Sequence, residues 1–132
     1  MQKVRWVSVR KHYYLDKIKL KPYFYETGKD KRDNQWKKER KKYGFDERET
    51  WSMNFTMITL LYERLKMYDE VNIVNTDYHK ITIDEIERTQ QGWMDELVQL
   101  CELYFECDEF DCDKYSEKIW GIWSVLSPYM WW

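Results

Sequence analysis

Residues 43–55, YGFDERETWSMNF, join a strongly basic segment to the clearest helical pattern in the chain. Asp46 and Glu49 have the spacing of a capping box, in which each side chain accepts a hydrogen bond from the other residue's backbone N–H. Apolar side chains then recur every three or four residues, as on one face of a helix of about five turns. They are Trp51, Phe55, Ile58, Tyr62, Leu65 and Tyr68. The pattern predicts a helix that begins near Asp46.

Two further helices follow in the sequence. Thr82 and Glu85 have the spacing of a second capping box, and Ile81 with Ile86 has the spacing of a hydrophobic staple. The helical period then continues through Ile83, Ile86, Trp93, Leu97, Leu100 and Tyr104. A third helix is predicted from about Lys114 to Leu126, where Ser127-Pro128 would end it. Across the linker of residues 70–80, the first two helices are expected to pack antiparallel.

The N-terminal part has a different pattern. Residues 3–9 and 17–25 alternate apolar and polar side chains, which predicts two strands of a hairpin with Pro22 on an edge. Residues 28–42 are predicted to be a basic loop or a short exposed helix around Trp36. The predicted fold class is therefore α+β, with an N-terminal β-hairpin packed on an antiparallel bundle of about three helices. A single domain, 1–132, would contain a hairpin region 1–27, a basic connector 28–45 and a helical region 46–132.

Composition and charge add two observations about partners. The chain of 132 residues contains 11 Tyr, 8 Trp and 5 Phe. These rings indicate a compact aromatic core, or some rings exposed for stacking on bases or for a protein contact. Residues 1–42 carry a balance of +10 and residues 43–132 a balance of −12. Either the two parts face each other, or the basic part attracts a polyanion.

The sequence also predicts a compartment. No apolar run approaches the length of a membrane span, and the N-terminus lacks the apolar core of a signal peptide. We therefore expect a soluble protein that stays in the cell that makes it. Three cysteines, Cys101, Cys107 and Cys112, make an odd count, which in that compartment favours reduced thiols over a disulfide.

Motifs for catalysis and metal binding are weak. Neither His12 nor His79 neighbours a nucleophile in a known motif, and the chain has no phosphate-binding glycine loop. The cysteines and the acidic residues 108–113 match neither zinc nor EF-hand spacing. We therefore predict a non-enzymatic protein with no catalytic residue, no metal and no cofactor.

Three segments carry a resemblance to a known family. They are the Lys3-Val4-Arg5 start, the ETWSMN signature at 49–54 with LLYERL at 60–65, and WMDEL at 93–97. This pattern resembles small uncharacterised proteins of tailed phages, mainly over residues 43–106. Many of those proteins have Asp where this chain has Asn54, and the part from Cys107 onward matches none of them. The resemblance implies a phage origin and the cytoplasm of an infected bacterium, but no activity.

Two functional hypotheses follow. The first is a binding protein that engages a host or anti-phage defence macromolecule, most simply a protein, and inhibits or redirects it. Its candidate interface comprises Asp95, Glu96, Glu102, Glu106, Trp131 and Trp132. The alternative is a nucleotide or nucleic-acid sequestering protein that uses Arg5, Trp6, Arg10, Tyr14, Arg32, Trp36 and Arg40, because rings stack on bases and cations hold phosphates. A homo-oligomer is compatible with both hypotheses, and no membrane partner is expected.

Overall fold

The computed structural model describes residues 30–108 and 110–131. Their elements are helix α1 (Asp33–Tyr43), helix α2 (Met53–Val71), strands β1 (Lys80–Ile83) and β2 (Ile86–Thr89), helix α3 (Gln90–Glu106) and helix α4 (Cys112–Leu126). Short 3₁₀ turns occupy Glu47–Thr50 and Ser127–Tyr129. The α+β class is confirmed, but the hairpin of this part of the chain lies at residues 80–89. The strands predicted at 3–9 and 17–25 fall outside the described residues.

Contacts at both ends of α2 and α3 show the relative direction of these two helices. Near the start of α2, Asn54 Nδ2 donates to the Tyr104 hydroxyl near the end of α3, at 3.4 Å. Near the end of α2, Asp69 accepts a 2.9 Å hydrogen bond from Gln91 at the start of α3. The two helices are therefore antiparallel, as predicted. The short loop 107–111 then turns the chain into α4, which packs on α3.

The centre of the core is aliphatic, and the rings surround it. Ile58, Leu97, Ile119 and Leu126 are fully buried, each on the apolar stripe of its helix. Buried and partly buried rings form a layer between α2 and α3, where the centroids of Tyr62 and Phe105 lie 5.4 Å apart in an edge-to-face arrangement. No helix within the described residues combines the length and the apolar character that crossing a bilayer requires.

The prediction that α3 begins at Thr82 was wrong, because residues 80–89 form an antiparallel hairpin. Asp84 and Glu85 both have positive φ, of 50° and 67°, which is the backbone of a tight two-residue turn. Three consecutive β-branched residues, 81–83, favour a strand over a helix, and alternation buries Ile81 and Ile83 on the core side. The helix begins at Gln90 instead, where the Thr89 hydroxyl accepts a hydrogen bond from the Gly92 N–H.

The expectation of three reduced thiols was also wrong. Cys107 and Cys112 form a disulfide across the α3–α4 loop, with their Cα atoms 5.4 Å apart. Neither the number of cysteines nor the compartment indicates whether two thiols lie close together in the fold. The turn between α3 and α4 brings these two thiols together. Cys101 is free and fully buried in the core. Burial raises the pKa of its thiol to about 12, so the thiol stays protonated at neutral pH.

Candidate functional site

The predicted basic connector contains a docked helix, α1, whose one buried side chain is Trp36 at 2% exposure. The Trp36 ring meets the edge of Trp51 with centroids 5.8 Å apart. The guanidinium carbons of Arg48 and Arg32 lie 4.4 Å and 4.9 Å from its centroid. Such cation–π contacts gain strength where the ring is removed from water. Trp36 therefore anchors α1 to the start of α2.

Asp46 joins the elements around that anchor. Its carboxylate accepts hydrogen bonds from Arg40 Nε at 2.8 Å, from Arg48 Nε at 3.0 Å and from Arg48 Nη2 at 2.7 Å. It also accepts from the Arg48 backbone N–H at 2.9 Å, and Glu49 accepts in turn from the Asp46 N–H. The predicted capping box is therefore confirmed, although it caps the 3₁₀ turn rather than α2 itself. We refer to Trp36, Arg40, Asp46, Glu47, Arg48 and Glu49 as the clasp.

Glu47 completes the clasp from the other side. One of its carboxylate oxygens accepts a 2.9 Å hydrogen bond from the Trp36 indole N–H, and its backbone N–H donates to Glu39 on α1 at 3.0 Å. The buried donor of Trp36 is thereby satisfied. Helix α1 is held to the 3₁₀ turn by side chains from both partners.

Opposing effects act on the pKa of Asp46. Burial alone would raise it, but the hydrogen bonds from the Arg48 side chain and backbone, with the charges of Arg48 and Arg40, outweigh burial and lower it below 3.8. Because the folded pKa is the lower one, the ionised clasp stabilises the fold fully above the unfolded pKa. That stabilisation is lost as pH falls through the folded value.

We expect α1 to undock in acid, at pH values below about 4. Tryptophan fluorescence measured against pH should then show Trp36 becoming exposed to water. Asp46→Asn, which cannot titrate, should lack this step. A wild-type curve that matches the Asp46→Asn curve through this range would contradict the assignment.

Two of the residues predicted to bind a nucleotide or a nucleic acid, Trp36 and Arg40, belong to the clasp, and a third, Arg32, lies against the Trp36 ring. Trp36 has no open face, Arg40 bonds Asp46, and Arg32 pairs with Asp30 at 3.0 Å. The other four candidates, Arg5, Trp6, Arg10 and Tyr14, lie outside the described residues. The structure thus brings the three described candidates together, in a role that holds α1 in place.

A groove of about 530 Å³ separates the hairpin from α3 and α4. Its floor consists of the core side chains Ile83, Trp93, Leu100 and Ile122, and exposed Ile86 stands beside it. Trp93 fixes the hairpin wall, because its indole N–H donates to the Ile81 carbonyl at 2.7 Å. The groove therefore has an apolar base and walls from three elements.

Charged side chains of both signs surround this groove. They are Asp84, Glu96 and Glu117, with Arg88, Lys114 and Lys118. Within the described part of the chain, none of the six forms an ion pair. The Arg88 guanidinium instead lies 5.1 Å from the Trp93 ring centroid. The rim is thus able to pair with charges that another molecule brings.

Gly121 lies in the interior of α4 on the wall of the groove. A glycine in the middle of a helix costs about 0.5–1 kcal/mol relative to alanine. A Cβ built on Gly121 would meet no atom of the described residues within 4 Å, so no contact among them requires the missing side chain. The sequence analysis did not predict that residues of α4 line a groove. The glycine within the apolar stripe of this helix was the signal that could have indicated it.

The predicted acidic interface does not form one patch. At 100° per residue, Asp95, Glu102 and Glu106 share a face of α3, while Glu96 points into the groove. Asp95 accepts from Gln91 at 3.0 Å, and Glu102 accepts from the Tyr62 hydroxyl at 3.1 Å. The adjacent acids Asp95 and Glu96 thus diverge, as their spacing predicts.

The C-terminal tail contributes the remaining interface candidates. Met130 packs against the core, whereas Trp131 is 72% exposed. The Trp131 carbonyl accepts a hydrogen bond from the Tyr68 hydroxyl, which places it at the end of α2. Trp132 lies outside the described residues. Trp131 and Glu106 therefore lie at opposite ends of the bundle.

Asn54, the signature position, ties three helices together. Its side-chain N–H₂ donates to the Ser116 hydroxyl at 2.8 Å and to Tyr104, and its oxygen accepts from the Trp120 indole N–H at 2.7 Å. All three partners are also able to donate to a carboxylate. The same three donors are therefore able to hold a carboxylate at this position.

We expect Asn54→Asp to change the free energy of unfolding by less than about 1 kcal/mol, since the three donors reorient toward the carboxylate. Asn54→Leu, the matched variant without polar atoms, should cost about 1–2 kcal/mol. Urea denaturation at neutral pH measures both. Equal destabilisation by the two variants would rule out this role of the side chain.

Among the described residues, no group of three or more His, Cys, Asp or Glu side chains is placed to hold a metal ion. Comparisons of the chain with protein-family models, with curated proteins and with solved structures find no match.

Proposed function

We propose that this chain is a phage-encoded, non-enzymatic protein that binds a host or anti-phage defence protein and inhibits or redirects it. The groove between the hairpin, α3 and α4 is the proposed binding site. Its occupant is a segment of the partner protein with a bulky apolar side chain flanked by charges of both signs. The apolar side chain would lie over Trp93 and Ile122, and the flanking charges would pair with the rim.

The observation that carries the proposal is Gly121. Nothing inside the described fold uses the space beside it, and an alanine there would favour the helix. Close approach of a second backbone to α4 is a physical use for that space. The charge layout supports the same reading, because the six rim charges are available to an outside partner.

Gly121→Ala should raise the free energy of unfolding by about 0.5–1 kcal/mol, because alanine is the better helix former and its methyl group meets no atom of residues 30–108 and 110–131. Thermal and urea denaturation measure this gain. A loss of stability in this variant would show that the glycine serves the fold itself, and would remove the main support for the groove.

The partner is found by photocrosslinking and tested with purified proteins. A p-benzoylphenylalanine at position 118, on the rim, is used in bacterial host cells, with position 77, exposed in the loop before β1, as the control. Capture of a protein from position 118 selects the candidate. Support requires that purified wild-type protein binds it saturably and that Gly121→Trp, which fills the groove, weakens binding by about 100-fold or more.

Glu106→Trp supplies the matched control, since it adds the same side chain at an exposed position on α3 that does not line the groove. It should leave the affinity within about twofold. Equal affinity of wild type and Gly121→Trp, or stronger capture from position 77 than from position 118, would refute the groove as the binding site.

A further inference from the structure

The outer face of α1 is a row of lysines with no carboxylate partner inside the described fold. With Trp36 directed inward, the helical repeat places Lys37, Lys38, Lys41 and Lys42 on the opposite half of the helix. All four are exposed. None forms an ion pair in the part of the chain that the structure describes. The face therefore presents four positive charges to solvent.

Two exposed rings continue this face at the end of α1. Tyr43 and Phe45 are 58% and 49% exposed, and their centroids lie 6.3 Å apart. Gly44 between them adopts a left-handed conformation, φ 86°, and its N–H donates to the Arg40 carbonyl at 2.9 Å. This helix-ending turn positions the two rings beside each other. The Lys42 ammonium lies 5.2 Å from the Tyr43 centroid, so charge and ring occur together.

The clasp makes this surface rigid. Helix α1 is held to the 3₁₀ turn through the Arg40–Asp46 and Trp36–Glu47 hydrogen bonds and through the bond from the Glu47 N–H to Glu39. A shallow cleft of about 380 Å³ runs along the helix between Lys38, Lys42 and Tyr43. A binding surface on a fixed helix loses less entropy on binding than one on a mobile segment.

We propose that this face binds single-stranded nucleic acid. Lys37, Lys38, Lys41 and Lys42 contact phosphates, and the rings of Tyr43 and Phe45 stack on unpaired bases. Lysines alone would suit any polyanion, including an acidic protein surface. The two exposed rings beside them favour a strand whose bases are free to stack, because stacking contributes affinity without sequence preference. This site is separate from the groove and does not depend on it.

Fluorescence anisotropy with a labelled oligothymidine of about 12 nucleotides tests the proposal. We expect saturable binding at low salt, with log K falling against log salt at a slope of about −3, since four contacts contribute about 0.7 each for a single strand. Lys38→Glu with Lys42→Glu should weaken binding by at least about tenfold. Tyr43→Leu with Phe45→Leu keeps apolar side chains but removes the stacking faces, and should weaken binding by about tenfold or more.

Lys114→Glu with Lys118→Glu, the matched charge reversal on the groove rim, should leave oligothymidine binding nearly unchanged. Circular dichroism of each variant establishes that the helices persist. The proposal is overturned by no binding at low salt, by equal affinity for polyglutamate or for double-stranded DNA of the same length, or by an effect of the rim variant as large as that of the α1 variant.

Discussion

Replacing Asp46 with alanine is expected to lower the free energy of unfolding by about 3 kcal/mol and to release α1 from the bundle. The carboxylate is 1% exposed and accepts four hydrogen bonds from Arg40 and Arg48. Its removal breaks a partly buried ion pair and the cap of the 3₁₀ turn together, and leaves Arg48 without its carboxylate partner. Urea denaturation measures the loss, and a red shift of tryptophan fluorescence reports the exposure of Trp36.

Asp33→Ala is the matched control for this experiment. Asp33 is an acidic residue in the first turn of α1, is exposed, and lies outside the clasp. Its replacement should cost no more than about 1 kcal/mol. If the two variants lose the same stability, or if Asp46→Ala leaves the environment of Trp36 unchanged, the clasp does not hold α1.

Trp93→Ala is expected to lower the free energy of unfolding by about 4 kcal/mol, which is the second large effect. The ring is 4% exposed, lies under the groove, and fixes the hairpin through its indole N–H to the Ile81 carbonyl at 2.7 Å. Its removal leaves a cavity between the hairpin and α3 and takes away the ring on which Arg88 lies. Chemical denaturation gives the free energy, and hydrogen exchange of the amides in 80–89 reports the loosening of the hairpin.

Trp93→Phe separates the two contributions. Phenylalanine keeps most of the buried area but has no N–H, so we expect a loss of about 1–2 kcal/mol with the hairpin still formed. Should Trp93→Ala cost no more than Trp93→Phe, packing under the groove would contribute little, and the hairpin would have to be held by other contacts.

Short-range patterns predicted much of the helical part. The Asp46–Glu49 capping box forms as its spacing indicates, and the apolar stripe after it describes α2. The third predicted helix, Lys114 to Leu126, differs from α4 by two residues at its start. These predictions succeed because capping and the helical repeat depend on residues no more than four positions apart.

For the candidate sites, the sequence predicted the types of residue involved but not which of their side chains are exposed. The sequence indicated a basic, ring-containing segment, but Trp36 and Arg40 are turned into the clasp, whereas Tyr43 and Phe45 are exposed. The acidic side chains of α3 were assigned to one interface, yet Glu96 faces the groove and Glu102 bonds Tyr62. Which side of a helix another element covers depends on partners that are distant in sequence.

By itself the sequence determined the Asp46–Glu49 capping box, the antiparallel helices and the strong division of charge along the chain. Tertiary structure alone decided that residues 80–89 pair as a hairpin, that Cys107 meets Cys112, and that hairpin, α3 and α4 leave a groove beside Gly121. The physical reason is the separation along the sequence over which each interaction acts. Propensity and capping act within one turn of a helix, whereas strand burial, thiol proximity and grooves arise only when elements far apart in sequence pack against each other.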